Sequence, residues 1–126
     1  MGQIKLDQAD IWFSKYVRLS QGECQRCHSK VKLNDNGDPI SHQASHFQGR
    51  RKEATRYDLE NVDTMCSGCH RYFTAFPYEH VQWQIATKGE NKVNEIIIRS
   101  NTYMKKDRKM QALIWKQAYL DLKNHK

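Results

Sequence analysis

The sequence has no apolar run approaching the roughly 20 residues that a membrane-spanning helix needs. Its opening, MGQIKLDQADIW, has no apolar core followed by a small-residue cleavage site, so no secretory signal is expected. Leu6 stands where a myristoylation signal starting at Gly2 would carry Ser or Thr. No internal repeat and no low-complexity tract is present, which argues against repeat arrays and compositionally biased chains. There is also no cysteine beyond two closely spaced pairs. These absences point to an intracellular, cytoplasmic chain without a membrane partner. Thiols in that compartment are kept reduced, so paired cysteines there suggest metal before disulfides.

What is present is a basic globule. The 126 residues suit one domain, 1–126, with a modest core. The apolar fraction is 38% and the charged fraction 28%. Lys and Arg total 21 against 14 Asp and Glu, leaving +7. An excess of that size suggests an anionic partner, nucleic acid first and an acidic membrane surface second.

Residues 7–19, DQADIWFSKYVRL, carry a helical pattern. Asp7 or Asp10 can cap it, and Trp12, Phe13, Tyr16 and Val17 share a face. NDNGDP is a turn, with short strands expected near Val31–Leu33 and Ile40–Phe47. Residues 48–60 lack an apolar period and read as a polar loop. A strand then runs into a helix starting near Ser67. Pro77 stops that helix and starts the next, which Gly89 ends. Val93, Ile96 and Ile97 suggest a further short helix. In the last helix, over 105–124, Met110, Leu113, Ile114 and Ala118 form an expected core face, widened by Trp115, Tyr119 and Leu122. The expected class is α+β. A small zinc-pinned core over 24–76 follows the N-terminal helix, and 77–126 form a helical extension.

The strongest signal is C-x2-C, a long insert, then C-x2-C, formed by Cys24, Cys27, Cys66 and Cys69. A two-residue spacer lets both thiolates of a pair turn inward, and zinc prefers four such soft ligands in a tetrahedron. Four free thiols, a redox pair or an iron–sulfur cluster leave the matched spacing or the lack of other redox signals unexplained. Four thiolates close the shell, so this Zn²⁺ is expected to be structural.

Between and beside the pairs lie His42, His46, Asn61 and His70. Taken alone, His46 reads as a hydrogen-bonded structural histidine before a base, His28 as a residue behind the metal ligands or on the surface, His42 as a surface residue of the hairpin, and His80 and His125 as solvent-facing. The run SHF…NVDTMCSGCH, with nine positions from Asn61 to His70, resembles the HNH (His-Me, ββα-metal) endonucleases over residues 24–73. A broader likeness, carried by DIWFSKYVRL, SHF, TRYDLENV and KGENKVNEI, is to the phage NinG (Rap) recombination proteins, which are implicated in processing branched DNA.

The HNH resemblance implies a treble-clef-like ββα-metal core and metal-dependent hydrolysis of DNA phosphodiesters. It makes His46 the general base, His70 a ligand of Mg²⁺ or Mn²⁺ (Ni²⁺ is also compatible with a histidine), and Asn61 the residue that holds the loop bearing His46. Ser45 stands where many members of the family carry a metal-binding Asp, which leaves that ligand open. Arg50, Arg51, Lys52 and Arg56 follow the base and are expected to grip backbone phosphate. Lys105, Lys106, Arg108 and Lys109 form a second basic stretch. The NinG likeness implies branched DNA as substrate and a phage-encoded protein in a host cell. A DNA-binding module that kept the zinc fold and lost turnover, and a zinc domain for protein interaction, are the competing readings. One active site cuts one strand, so a homodimer would serve a double-strand break.

Overall fold

The computed structural model describes residues 5–125. Helix α1 spans Gln8–Gln21. Asp7 caps it: its side chain accepts from the Asp10 amide, and Asp10 accepts from the Asp7 amide, both at 3.0 Å. Gly22, at φ 74°, ends it in the left-handed conformation that glycine adopts without strain. Ala9, Phe13 and Val17 recur at helical spacing and are buried.

The main partner of α1 is α5 (Arg108–Asn124). Trp115 meets Phe13 edge-on at 4.7 Å and Tyr16 at 5.3 Å, and Tyr119 meets Trp12 at 5.8 Å. This corrects the expected core face of the last helix. Met110, Leu113 and Ile114 are 52, 64 and 46% exposed, while Ala112, Trp115 and Tyr119 face inward. The aromatic rings of α1 fix that rotation, because a ring against a ring buries more surface than a methionine or leucine would.

The sheet has two antiparallel strands, β1 (Gln43–His46) and β2 (Val62–Met65). The register pairs Ala44 with Thr64, Ser45 with Asp63 and His46 with Val62. The strand expected near Val31–Leu33 is reduced to isolated bridges, Glu23 with Lys30 and Leu33 with Pro39. Asn34 accepts from the amides of Asn36 and Asp38, tightening the predicted turn so that its arms do not extend a ladder.

Side chains alternate across the hairpin. Ala44 and Val62 join the α1 core, and Thr64 donates to the Val17 carbonyl. Met65 turns the other way, into a cluster with Cys24, Cys69 and Phe73. That opposite face is closed by α2 (Ser67–Ala75) and α3 (Pro77–Lys88). α4 (Glu90–Ser100) follows, buried through Val93 and Ile96. The architecture of the described residues is thus helix-rich α+β: five helices around one small sheet. No helix among the described residues is long and apolar enough to cross a membrane.

The segment 48–60 is more than a polar loop. It holds two short 3-10 turns, Glu53–Thr55 and Leu59–Asn61, and buries Thr55 and Arg56. Thr55 and Arg56 turn inward because each finds a partner there, the Lys52 carbonyl and the Asp10 carboxylate.

Candidate metal centre and the polar site beside it

The four cysteine sulfurs converge. Their Sγ atoms all lie within 4.8 Å of one another, and Cys27 and Cys66 are 3.7 Å apart. Sulfurs about 2.3 Å from a tetrahedral zinc stand roughly 3.8 Å apart, so the donor set fits a metal ion such as zinc. Each pair also folds back on itself: the Cys27 amide donates to Cys24 Sγ at 3.5 Å, and the Cys69 amide to Cys66 Sγ at 3.4 Å. The second of these bonds caps α2, so the ligand loop and the helix start are one structure.

Charge favours thiolates here. Arg26 donates to Cys69 Sγ at 3.5 Å while lying over the Tyr72 ring at 4.3 Å. The Ser29 hydroxyl and amide, with neighbouring cysteines, bring the Cys27 thiol down to about 6. Burial pushes Cys69 up to about 12 in the absence of an ion. Among the described residues this is the only group of three or more His, Cys, Asp or Glu donors so gathered.

His46 sits at the end of β1, beside Phe13 at 6.1 Å. Its Nε2–H donates to the Arg56 carbonyl at 2.8 Å. That bond places the proton on Nε2 and leaves Nδ1 as a bare lone pair, with no partner and no contact with bulk solvent. Burial, then the Arg50 charge, lowers the imidazole to about 4, against the pull of the Arg56 and Ala44 carbonyls. His46 is therefore neutral at physiological pH.

Asn61 is fully buried and tied to the segment after His46. Its amide donates to the Gln48 carbonyl at 2.8 Å and the Thr55 carbonyl at 3.0 Å, and its oxygen accepts from the Gln48 amide at 2.7 Å. His70 lies in the first turns of α2, half-buried. Burial and the Arg50 charge both lower its basicity, and no hydrogen bond among the described residues opposes them. The Arg50 charge acts on both imidazoles. The Arg50 Nε is buried without a partner, 3.9 Å from Asp10.

The basic set divides. Arg51 and Lys52 are exposed, and Lys52 Nζ donates to Asn101 at 2.6 Å. Arg56 leaves the expected phosphate-binding group: it is 2% exposed, and its Nε and Nη2 grip the Asp10 carboxylate at 2.9 and 2.6 Å. A buried Asp so close draws the guanidinium inward, where no phosphate can reach it. Arg108, in the second basic stretch, is held by Glu53 at 2.9 Å.

Other histidines also find their places. His28 contacts Glu23 at 2.6 Å, and His42 lies between Ser29 and Ser41; both have positive φ, 66° and 68°. His80 is not solvent-facing. It stacks on Phe73 at 4.6 Å and 9°, meets Phe47 edge-on, and contacts Gln84 Nε2 at 3.1 Å. The same Gln84 nitrogen donates to Asp63 at 2.9 Å, and Lys88 reaches that carboxylate at 3.0 Å. This polar string escapes a motif search. Its sequence signal is the i, i+4, i+8 spacing of His80, Gln84 and Lys88, which puts them on one face of α3.

Ser45 is buried and directly opposite Asp63 in the register. Comparison of the chain with models of known families, with curated proteins and with solved structures finds no match.

Proposed function

We propose that the chain is a metal-dependent endonuclease of the HNH type, built on a treble-clef-like core with a structural four-cysteine zinc, that hydrolyses DNA phosphodiesters. The observation that carries this reading is the orientation of His46: its Nε2 is held by the Arg56 carbonyl, and its Nδ1 has no hydrogen-bond partner. A histidine held in one tautomer keeps a lone pair for a proton, and Nδ1 serves as the base when the bound substrate brings a water to it.

The zinc, when bound, fixes the position of α2 relative to the first knuckle and does no chemistry, because four thiolates leave no open position. A divalent cation, when bound at His70, stabilises charge on the leaving oxygen. His46 Nδ1 takes a proton from water as the water oxygen forms a bond to phosphorus. One P–O bond breaks, and the leaving oxygen takes up a proton from solvent. Asn61 holds 48–55 against β2 and so holds the Arg56 carbonyl that orients His46. Arg50, Arg51 and Lys52 bind backbone phosphate, which gives salt-dependent affinity without sequence reading. Branched DNA is the substrate that the NinG likeness favours, and a phage-encoded cytoplasmic protein, acting as a homodimer for double-strand breaks, is its setting.

A second reading, a non-catalytic DNA-binding module, is favoured by Ser45, which offers a cation no carboxylate. Incubation of supercoiled plasmid and synthetic junctions with Mg²⁺, Mn²⁺, Ni²⁺ or chelator separates the two. Metal-dependent cutting is expected, with junctions cut faster than linear duplex. Salt-sensitive gel shifts without cutting under any metal would favour the binding module. Metal analysis should find one zinc per chain, lost in Cys24→Ser.

A further inference from the structure

The carboxylate missing at position 45 has a counterpart across the hairpin. Ser45 and Asp63 are directly paired in the antiparallel register and therefore project to the same face. Asp63 is 6% exposed. His80 stacks on Phe73 of α2 and contacts Gln84 of α3, which donates to Asp63, so Asp63 meets α2 and α3 on one side of the sheet, and His70 stands on α2 one turn before Phe73. These donors are not gathered as the cysteines are. Lys88 Nζ instead lies 3.0 Å from Asp63 Oδ2, putting a positive charge on that oxygen.

Resting on the nuclease reading, we propose that Asp63 supplies the carboxylate ligand of the divalent-cation site at His70, and that the Lys88 ammonium occupies Asp63 until the cation displaces it.

Two observations beyond the register support this. Gln84 is fully buried, with its amide nitrogen spent on Asp63 and His80, and its Oε1 has no partner. A buried acceptor left bare on the amide that touches the carboxylate is what a cation-bound water would satisfy. The ion pair is also of the displaceable kind: lysine is a point charge on a flexible stem, and the Lys88 side chain keeps 19% of its exposure. Carboxylate and imidazole donors together suit Mn²⁺ better than Ca²⁺.

The test is titration of the zinc-loaded full chain with Mn²⁺, following loss of the free-ion electron paramagnetic resonance signal. The wild type should bind one Mn²⁺. Asp63→Asn should weaken binding at least tenfold, and Lys88→Met, which removes the competing charge, should tighten it severalfold. Thermal unfolding of both variants checks that they remain folded. Unchanged affinity in either variant, or no stoichiometric Mn²⁺ in the wild type, overturns the proposal. Mn²⁺ held through Asp63 by a chain that cuts no DNA would leave the cation site standing and remove the nuclease reading. Mn²⁺-dependent cutting with full affinity in Asp63→Asn would do the reverse.

Discussion

Two buried carboxylates, one on each side of the hairpin, have been treated differently. Asp10 faces β1 and the segment behind it; Asp63 faces α3. Asp10 is saturated: Arg56 grips both its oxygens, and the Asp7 amide donates to it. Burial pushes its carboxyl up, but those partners outweigh burial and hold it below the usual carboxylate range. Asp63 keeps a looser company, with a glutamine and a lysine sharing one oxygen. A rigid bidentate arginine closes a carboxylate for good, whereas a lysine can leave it. The first arrangement locks α1 to the segment that orients His46, and the second ties α3 to β2 through Gln84 and Lys88.

The largest effect should come from opening the locked pair. Arg56→Met leaves Asp10 buried with only the more distant Arg50 charge and the Asp7 amide beside it, and breaking such a buried pair costs about 3–5 kcal/mol. The urea midpoint should fall accordingly. The same class of change on the other side, Lys88→Met, should shift that midpoint less, because Gln84 still donates to Asp63 and the lysine is part exposed. Equal losses would erase the distinction drawn between the two carboxylates.

Acid should act next. The folded state holds His46 neutral down to about 4, against an ordinary value of 6.5. Below 6.5 the unfolded chain takes up the proton that the folded chain refuses. Stability is therefore full above about 6.5 and lost as pH falls from there toward 4, by about 3 kcal/mol. The Asp10 contribution is lost only at lower pH, as the carboxyl of the unfolded chain becomes protonated. Denaturation midpoints of wild type and His46→Gln across pH 7 to 4 should converge at the acid end.

A smaller effect is expected from Asn61→Ala, which leaves the Gln48 and Thr55 backbone groups without partners. A loss of about 1–3 kcal/mol is expected, the cost of the one fully buried bond, to the Thr55 carbonyl, since the part-buried Gln48 groups can turn to water. Hydrogen exchange should rise over 48–55 before it rises in α1.

Much of this was legible in the sequence where the physics is local. The C-x2-C spacing fixes two ligands within one turn of chain, so the cysteine cluster could be read directly. Asp7, Pro77 and Gly89 mark helix ends through their own backbone preferences, and the structure uses all three. Long-range partners were not legible. Asp10 lies 46 residues from Arg56, so that arginine looked like part of an exposed basic run. The inward face of α5 depends on which rings α1 offers: hydrophobic spacing found Trp115 and Tyr119 but centred the face on Met110, Leu113 and Ile114, which are exposed. His80 looked like a surface histidine because nothing nearby in sequence announces Phe73, Gln84 and Asp63 as its surroundings.

The central claim is that His46 is a preset base. Its most direct test is the rate of Mn²⁺-dependent strand cleavage by zinc-loaded wild type and His46→Ala at the same pH and salt, with DNA binding measured in parallel. The account predicts about 10²–10⁴-fold slower cleavage in the variant with DNA affinity retained. Equal rates in the two proteins, or no cleavage by either, would contradict it and make His46 a structural histidine.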